Sequence, residues 1–587
     1  MPDSPTGTRR EFLGNAVKLG IGSLLLNPTT QAMASTAQTE PAGRGSPLAA
    51  TVARLREAPD RVFIDRDGTG LAQAARTGSA YSTPGCEVAM TGEPFGHSVR
   101  VRCPAGPLSR VVLRWEAAFP SGTLFLGDHW ERGYGDLQWR TSQPERVMPW
   151  YFAGHVPASG GTLMAGVRTQ PSALCFWTAD AEGVSLWLDF RNGGSPSIPG
   201  DREIAAADIV VLGADPGEPP MAALTRFCRA LCPSPRLSPS PICGNNNWYY
   251  AYGRDFDADA MRRDAAFLAE ISAGHPVRPF CVIDAGWTDN RASVCPGGPW
   301  LAGDPGRFPD MPGLASDMRR LGIRPGIWIR PTALMKVDDP RRLRAGPCTA
   351  IEKPLDLTLP ENLSLIREDV ARVRGWGYDL IKHDFSTYDV FGKWGFEMGA
   401  ELTDPGWHFS DRSLTNAEII LGHYRNLRAG AGDAVLLGCN TIGHLGAGLF
   451  EIQRTGDDTS GREWERTRRM GINTLAFRLP QNGTFFSSDP DCAAHTSRTP
   501  WELDRQFLDL VGHSGAALFV SVDPRTVTAD QKEAYRAAMQ LALSGGAPGG
   551  CEPLDWLGTT TPEHWRLADR EVTYRWEESA GANPLRV

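Results

Sequence analysis

Phe280-Cys281-Val282-Ile283-Asp284 is a run of four apolar residues closed by a carboxylate, and Tyr378-Asp379-Leu380-Ile381-Lys382-His383-Asp384 closes the same way. Short apolar runs bounded by polar residues read as strands buried on both faces, as in a parallel sheet. Working outward, Ile323 to Ile329, Val435 to Cys439 and Leu518 to Val522 repeat the pattern. Helical stretches lie between them. One is capped by Asp257 and runs to about Ile271, and another spans Leu363 to Arg374. Alternation of strand and helix predicts a (β/α)8 TIM barrel over residues 242–547. One interval is awkward, because Cys439 to Arg454 leaves little room for a full helix.

The grammar is different on either side of this region. From 46 to 212 short alternating segments such as His97 to Arg102, Val111 to Trp115 and Val184 to Leu188 are punctuated by Gly, Pro and Asp. They predict an antiparallel β-sandwich with one buried face per strand. Residues 213–241 hold a helix, Met221 to Leu231, and a stiff linker, Pro233-Ser234-Pro235 and Ser238-Pro239-Ser240-Pro241. Residues 548–587, with strand-like Glu571 to Trp576, predict a small β-appendage. The fold class expected is therefore multidomain: sandwich, barrel, appendage.

The length of 587 residues agrees with two to four domains. The net charge of −8 argues against a nucleic-acid partner, which would want a basic surface. No apolar run reaches the roughly 18 residues of a membrane span, so no membrane insertion is expected. Thr8-Arg9-Arg10-Glu11-Phe12-Leu13, a weakly apolar segment from Gly14 to Leu26 and Ala32-Met33-Ala34 predict a cleaved Tat signal over 1–34 and a periplasmic or secreted protein. Disulfides are permitted there, yet the 12 cysteines form no CxxC pair and no metal-ligand spacing. No cofactor and no metal are expected. Asp255, Asp257 and Asp259 mimic a calcium loop but lack its Gly and Glu, so they read as a helix cap.

Chemistry in a barrel belongs at the C-terminal ends of its strands. Asp284, Arg330, Asp384 and Asp458 are polar residues placed there in apolar company. A carboxylate pair across a sugar is the usual equipment for glycosidic cleavage. The competing reading is structural ion pairing with neighbouring arginines.

Several segments resemble the melibiases, glycoside hydrolase families 27 and 36 of clan D. Cys243-Gly244-Asn245-Asn246-Asn247-Trp248-Tyr249 is similar to their first barrel strand, and Val282-Ile283-Asp284-Ala285-Gly286-Trp287 resembles "IDDGW". Phe308-Pro309 with Gly322 to Trp328 resembles the third strand, and Asp379 to Asp384 the "LKxD" strand of the nucleophile. Leu437-Gly438-Cys439 through Arg454 to Thr459 resembles "LGCG…RIGPDT", and Ser488-Asp489-Pro490-Asp491-Cys492 resembles "NDPDC". The six motifs occur in family order.

The resemblance implies roles for individual residues. Asp384 is the implied nucleophile and Asp458 the acid/base, with Asp457 as its rival. Lys382 and Arg454 bind hydroxyls and keep the carboxylates ionised. Cys439 lines the site near the sugar 2-position, Trp248 and Trp328 wall the ring, and Asp284 accepts from distant hydroxyls. The plain alternatives are an Asp384–Lys382 ion pair, a core or disulfide-bonded Cys439, and core packing for Trp248, Trp287 and Trp328. The family pattern breaks at Ala285, where a second Asp is usual, and at His383, whose side chain is expected to face away from Asp384.

The function implied is an exported, retaining exo-α-glycosidase, most like an α-galactosidase, acting on an oligosaccharide or glycoside. A transglycosylase of raffinose-type sugars would use the same carboxylates. A non-catalytic carbohydrate-binding protein and an exported redox enzyme are the readings from other classes.

Overall fold

The computed structural model describes residues 47–577 except 254, 290–291, 348–350 and 549. The segment 1–34 with its twin arginines lies outside the described residues.

A nine-stranded sheet in which every pairing is parallel occupies the region of β/α grammar. Its strands are β1 Cys243–Asn246, β2 Phe280–Ile283, β3 Arg324–Ile329, β4 Leu380–His383, β5 Val435–Gly438, β6 Ile452–Arg454, β7 Ser487–Asp489, β8 Ala493–Ala494 and β9 Leu518–Ser521. The order across the sheet is β7-β6-β5-β4-β3-β2-β1-β9-β8. Its two outermost strands, β7 and β8, are consecutive in the chain. β1, β2, β4, β5 and β9 are buried at every position, as expected of strands covered on both faces. Helices fall between strands where the pattern placed them, over Ala258–Ile271 and Pro360–Gly375. Asp257 caps the first by accepting from the Ala260 N–H at 2.8 Å. The tight interval before Arg454 holds only the short helix Gly443–Gly446.

Two antiparallel sheets precede this one. Six strands form the first, including Arg110–Glu116, Leu174–Ala179 and Gly183–Asp189; eight form the second, including Cys86–Glu93, Gly96–Cys103, Tyr151–Val156 and Gly161–Val167. They pack face to face, with Phe152 of the second against Trp177 of the first at 5.4 Å. Burial alternates along Gly96–Cys103, as the pattern predicts. Tyr151–Val156 and Gly161–Val167 are instead buried on both sides. The cause is the helix Pro220–Leu231, whose Phe227 meets Tyr151 at 6.0 Å. The Tyr151 hydroxyl also accepts from Gln481, near β7, at 2.8 Å. The Pro-rich stretch is fastened as well: Arg236 pairs with Glu451 at 2.6 Å.

Near the C-terminus, Cys551–Pro553, His564–Leu567 and Arg570–Thr573 form a three-stranded antiparallel sheet. Tyr574 donates to Asp509 at 2.7 Å, and Trp464 donates to the Trp576 carbonyl at 2.6 Å. Among the described residues no helix is long and apolar enough to cross a membrane.

One loop of the antiparallel sheets docks on the parallel one. Gly133 and Gly456 form a parallel bridge: the Gly133 N–H donates to Thr455 at 2.8 Å, and the Asp457 N–H donates to Gly133 at 2.9 Å. Glycine at 456 is required by the chain packed against the bridge, where a Cβ would lie 2.3 Å from the Met470 carbonyl oxygen. The bridge carries Glu131, Arg132 and Tyr134 to the residues after β6.

Candidate active site

The eight residues singled out from sequence all lie at or just beyond strand ends of the parallel sheet, and none is more than 7% exposed. Asp284 follows β2, Asp384 follows β4, Cys439 follows β5 and Arg454 ends β6. Asp458 is four residues past the end of β6. Trp248 opens a short helix just past β1, and its ring packs on Tyr252 at 5.9 Å.

Strand geometry sorts the β4 side chains. Lys382 and His383 are neighbours, so they leave opposite faces. Lys382 Nζ reaches Asp284 Oδ2 at 2.7 Å. His383 packs between Phe450 (4.7 Å) and Tyr424 (6.2 Å), away from Asp384 as expected. Burial drives its pKa down to about 3, helped by His423, so it stays neutral.

The pairing of Lys382 differs from the expectation. Its direct partner is Asp284, and Asp384 acts on it only through the field. Burial is the largest single influence and opposes the lysine charge, but Asp284, with smaller contributions from Cys439 and Asp384, acts the other way, and the pKa is raised. Asp284 also accepts from Asn246 Nδ2 at 2.5 Å on Oδ2 and from the Ala285 N–H at 2.8 Å on Oδ1. The carboxylate is thus engaged on both oxygens.

Asp384 is held from two sides. Trp328 Nε1 donates to Oδ2 at 3.2 Å and the Phe385 N–H donates to Oδ1 at 2.8 Å. Phe385 adopts φ 63°, ψ 3°, a left-handed conformation that costs a bulky residue about 1–3 kcal/mol. Trp287 and Trp328 both pack on Trp300, at 5.3 and 5.7 Å, and Trp287 donates to the Trp328 carbonyl at 2.9 Å. For Trp328 the core role and the site role therefore coexist.

Across from these sits an arginine cluster. Arg454 contacts Asp458 Oδ1 at 3.3 Å, Cys439 Sγ at 3.5 Å and, most closely, Asp491 Oδ2 at 2.9 Å. Cys439 is a free thiol. Burial raises its pKa, as does Asp384, whereas Arg454, Lys382 and Arg132 lower it. Arg454 touches the thiol, and the other three act on it through their charge. Asp491 also accepts from Tyr249 and from the Thr459 N–H at 2.7 Å. The sequence motif around Asp491 assigns it no role; in the structure it anchors Arg454.

Arg132 carries no motif and is not singled out by sequence. It is fully buried and contacts Asp457 at 3.2 Å and Asp458 at 3.7 Å. Arg466 also pairs with Asp457, at 2.5 Å. The negative charge of Asp457 thus faces two guanidinium groups. Glu131 beside Arg132 binds Asn440, Tyr134 and the Gly395 N–H, joining three loops. The only sequence signal is a loop dense in aromatic and charged residues, 128–136.

Arg330, noted at the end of β3, takes no part in this cluster. It forms a bidentate pair with Asp389 at 3.0 and 2.6 Å. For this residue the structural ion-pair reading holds. Among the described residues, no group of three or more His, Cys, Asp or Glu side chains is arranged to hold a metal ion.

No protein-family model matches the chain, and no curated protein matches it. Solved structures do. An α-galactosidase from Thermus thermophilus, TtGalA, in complex with p-nitrophenyl α-D-galactopyranoside aligns with a TM-score of 0.55 at 20% identity, covering 87% of this chain and 99% of that one. The GH36 α-galactosidase AgaA from Geobacillus stearothermophilus aligns at 0.54 and 13% identity, covering 83% and 74%. AgaB from the same organism aligns at 0.53 and 13%, covering 82% and 75%. At these identities the likeness establishes a shared fold.

One titration in the cluster is open to measurement. Asp489, at the end of β7, is pushed up to about 7, chiefly by burial, with Arg454 opposing and Asp491 adding to the rise. A carboxyl raised in the folded state holds its proton there while the unfolded chain has lost it, so stability falls between about pH 4 and 7. Asp489→Asn should flatten the fall in urea-unfolding free energy across that window. An unchanged slope would show that Asp489 is not the titrating group.

Proposed function

We propose that the chain is a retaining exo-α-glycosidase that removes terminal α-linked sugars by double displacement. The observation that carries the reading is that two buried, differently held carboxyl groups, Asp384 beside Trp328 and Phe385 and Asp458 beside Arg454, follow strands of one parallel sheet, with Cys439 in contact with Arg454 and within the field of Asp384. The likeness in fold to α-galactosidases supports it. We read the parallel sheet as the (β/α)8 barrel of residues 242–547, with β7 and β8 as two halves of one strand position, the 46–212 region as a sandwich and 548–587 as an appendage. The 213–241 segment links sandwich to barrel.

In the first step an Asp384 oxygen attacks the anomeric carbon while Asp458 gives its proton to the leaving oxygen. A glycosyl ester forms and the aglycone departs. In the second, Asp458, now a carboxylate, takes a proton from water, whose oxygen attacks the same carbon and frees Asp384. Two inversions retain the α-configuration. Asp457 is the weaker candidate for the acid, because its guanidinium partners Arg466 and Arg132, at 2.5 and 3.2 Å, lie closer than Arg454 and Arg132 lie to Asp458, at 3.3 and 3.7 Å. Trp248 and Trp328 flank the ring, Lys382 and Arg454 donate to hydroxyls, and Cys439 lies toward the 2-position. Asp284 keeps little capacity for a sugar hydroxyl beyond its three donors, and Ala285 supplies none. A site with a missing acceptor loses discrimination for the hydroxyl it would have bound. The preferred sugar is therefore one altered at C4 or C6 relative to galactose.

A panel of aryl α-glycosides with product stereochemistry followed by NMR tests the reading. The α-anomer should form first; a β-anomer would refute the role of Asp384. Asp458→Ala should lose about 10²–10⁴-fold on substrates with poor leaving groups and less on activated aryl ones. Azide should give a β-glycosyl azide with Asp384→Gly and an α-azide with Asp458→Ala. Simple α-galactosides should not head the panel, and Ala285→Asp should improve them. If the wild type already prefers them, Ala285 is no mark of a different substrate. Export through the twin-arginine route is also proposed. Arg9→Lys/Arg10→Lys should leave uncleaved protein in the cytoplasmic fraction, and normal export would contradict it.

A further inference from the structure

Phe385 keeps its left-handed backbone inside a tight enclosure. The residue is 7% exposed. The Arg330 guanidinium carbon lies 4.3 Å from the ring centroid, and the rings of Trp394 and Trp328 meet it at 5.5 and 6.5 Å. A cation over an aromatic face is attracted by the ring quadrupole, more so away from water. Arg330 is itself fixed. Besides the bidentate pair with Asp389, its Nη1 donates to the Cys295 carbonyl at 3.1 Å, and Glu352 lies at 3.5 Å. Asp389 is held further by Thr332 Oγ1 at 2.7 Å. Asp389 belongs to the helix Ser386–Phe391, and its own N–H donates to the Phe385 carbonyl at 2.7 Å.

These contacts close a ring of constraints from the end of β3 to the residue after Asp384. The Asp384 N–H completes it by donating to Ile329, the neighbour of Arg330, at 3.0 Å. With Asp384 fastened to Ile329 on one side and Asp389 to Arg330 on the other, the left-handed turn between them helps fix the plane of the 384–385 peptide, and that plane aims the Phe385 N–H at Asp384 Oδ1. Neither Arg330 nor Asp389 has a part in the double displacement itself.

We propose that Arg330 is a positioning residue: clamped on Asp389, it holds Phe385 in its left-handed turn and so holds the 384–385 peptide, whose N–H fixes the Asp384 carboxylate for attack. The proposal rests on Asp384 being the nucleophile. A misplacement of about 1 Å caused away from the reacting atoms can cost a hundredfold in rate.

The test uses the full chain and two kinds of variant. Arg330→Met/Asp389→Leu removes both charges of the clamp together and leaves Glu352 with the Ser293 hydroxyl at 2.6 Å. Phe385→Gly and Phe385→Val leave the clamp in place, and both remove the ring, but only glycine tolerates a left-handed backbone. On an aryl α-glycoside the double variant should lose about 10–100-fold in kcat with KM within about threefold. Its crystal structure should show Phe385 out of the left-handed region. Phe385→Gly should retain about tenfold more kcat than Phe385→Val. A purely structural role would lower the melting temperature without separating kcat from KM. The proposal is overturned if Phe385 stays left-handed in the folded double variant, or if the Gly and Val variants turn over equally. A wild type that cleaves no glycoside, with Phe385 released in the double variant, would overturn the role in attack through failure of the glycosidase reading, not of the clamp.

Discussion

The Lys382–Asp284 ion pair sets the terms for the site. An ammonium and a carboxylate meet at 2.7 Å with both residues no more than 6% exposed. Removing either partner would leave a buried charge without compensation, a cost of about 3–5 kcal/mol. Their pairing lets β2 and β4 project charge into one space although β3 runs between them. Around this fixed pair the other groups arrange themselves by sign. Arg454 lies between Asp491 and Asp458, and Arg132 between Asp457 and Asp458. Each of these buried charges thus faces an opposite one, which is the condition for holding so many ionisable groups away from water.

The two carboxyl groups read as catalytic differ in what holds them. Asp384 is fixed by neutral donors, an indole and a backbone amide. Asp458 lies against guanidinium groups. That asymmetry suits two groups with different work: one must present an oxygen in a constant place, while the other must change its proton state twice per turnover.

Much of the fold was legible in the sequence, because strands buried on both faces leave continuous apolar runs. Phe280 to Ile283 and Leu380 to Ile381 announce themselves in this way. The carboxylates that close them were legible for the same reason, since a polar residue ending such a run has few structural excuses. What was hidden came from long range. Nothing in the spacing of Lys382 says that its partner is Asp284, 98 positions earlier in the chain. Arg132 was invisible because its role depends on a loop of one sheet docking on another. The double-sided burial of Tyr151 to Val156 was missed for a similar reason: a helix from elsewhere in the chain covers the face that alternation would have left wet.

The Gly133–Gly456 bridge bears on how such a protein can be taken apart. A sugar-binding module on a flexible tether can be lost or exchanged without harm to the enzyme it accompanies. Here the antiparallel sheets deliver a guanidinium to Asp457 and Asp458 through backbone hydrogen bonds with the residues just past β6. The parallel sheet cut free of them would retain every residue that the sequence motifs name, yet it would lose a charge in the middle of its own cluster. The two parts therefore form one inheritable unit, and recombination that swapped either alone would have to replace Arg132 as well as the surface that carries it.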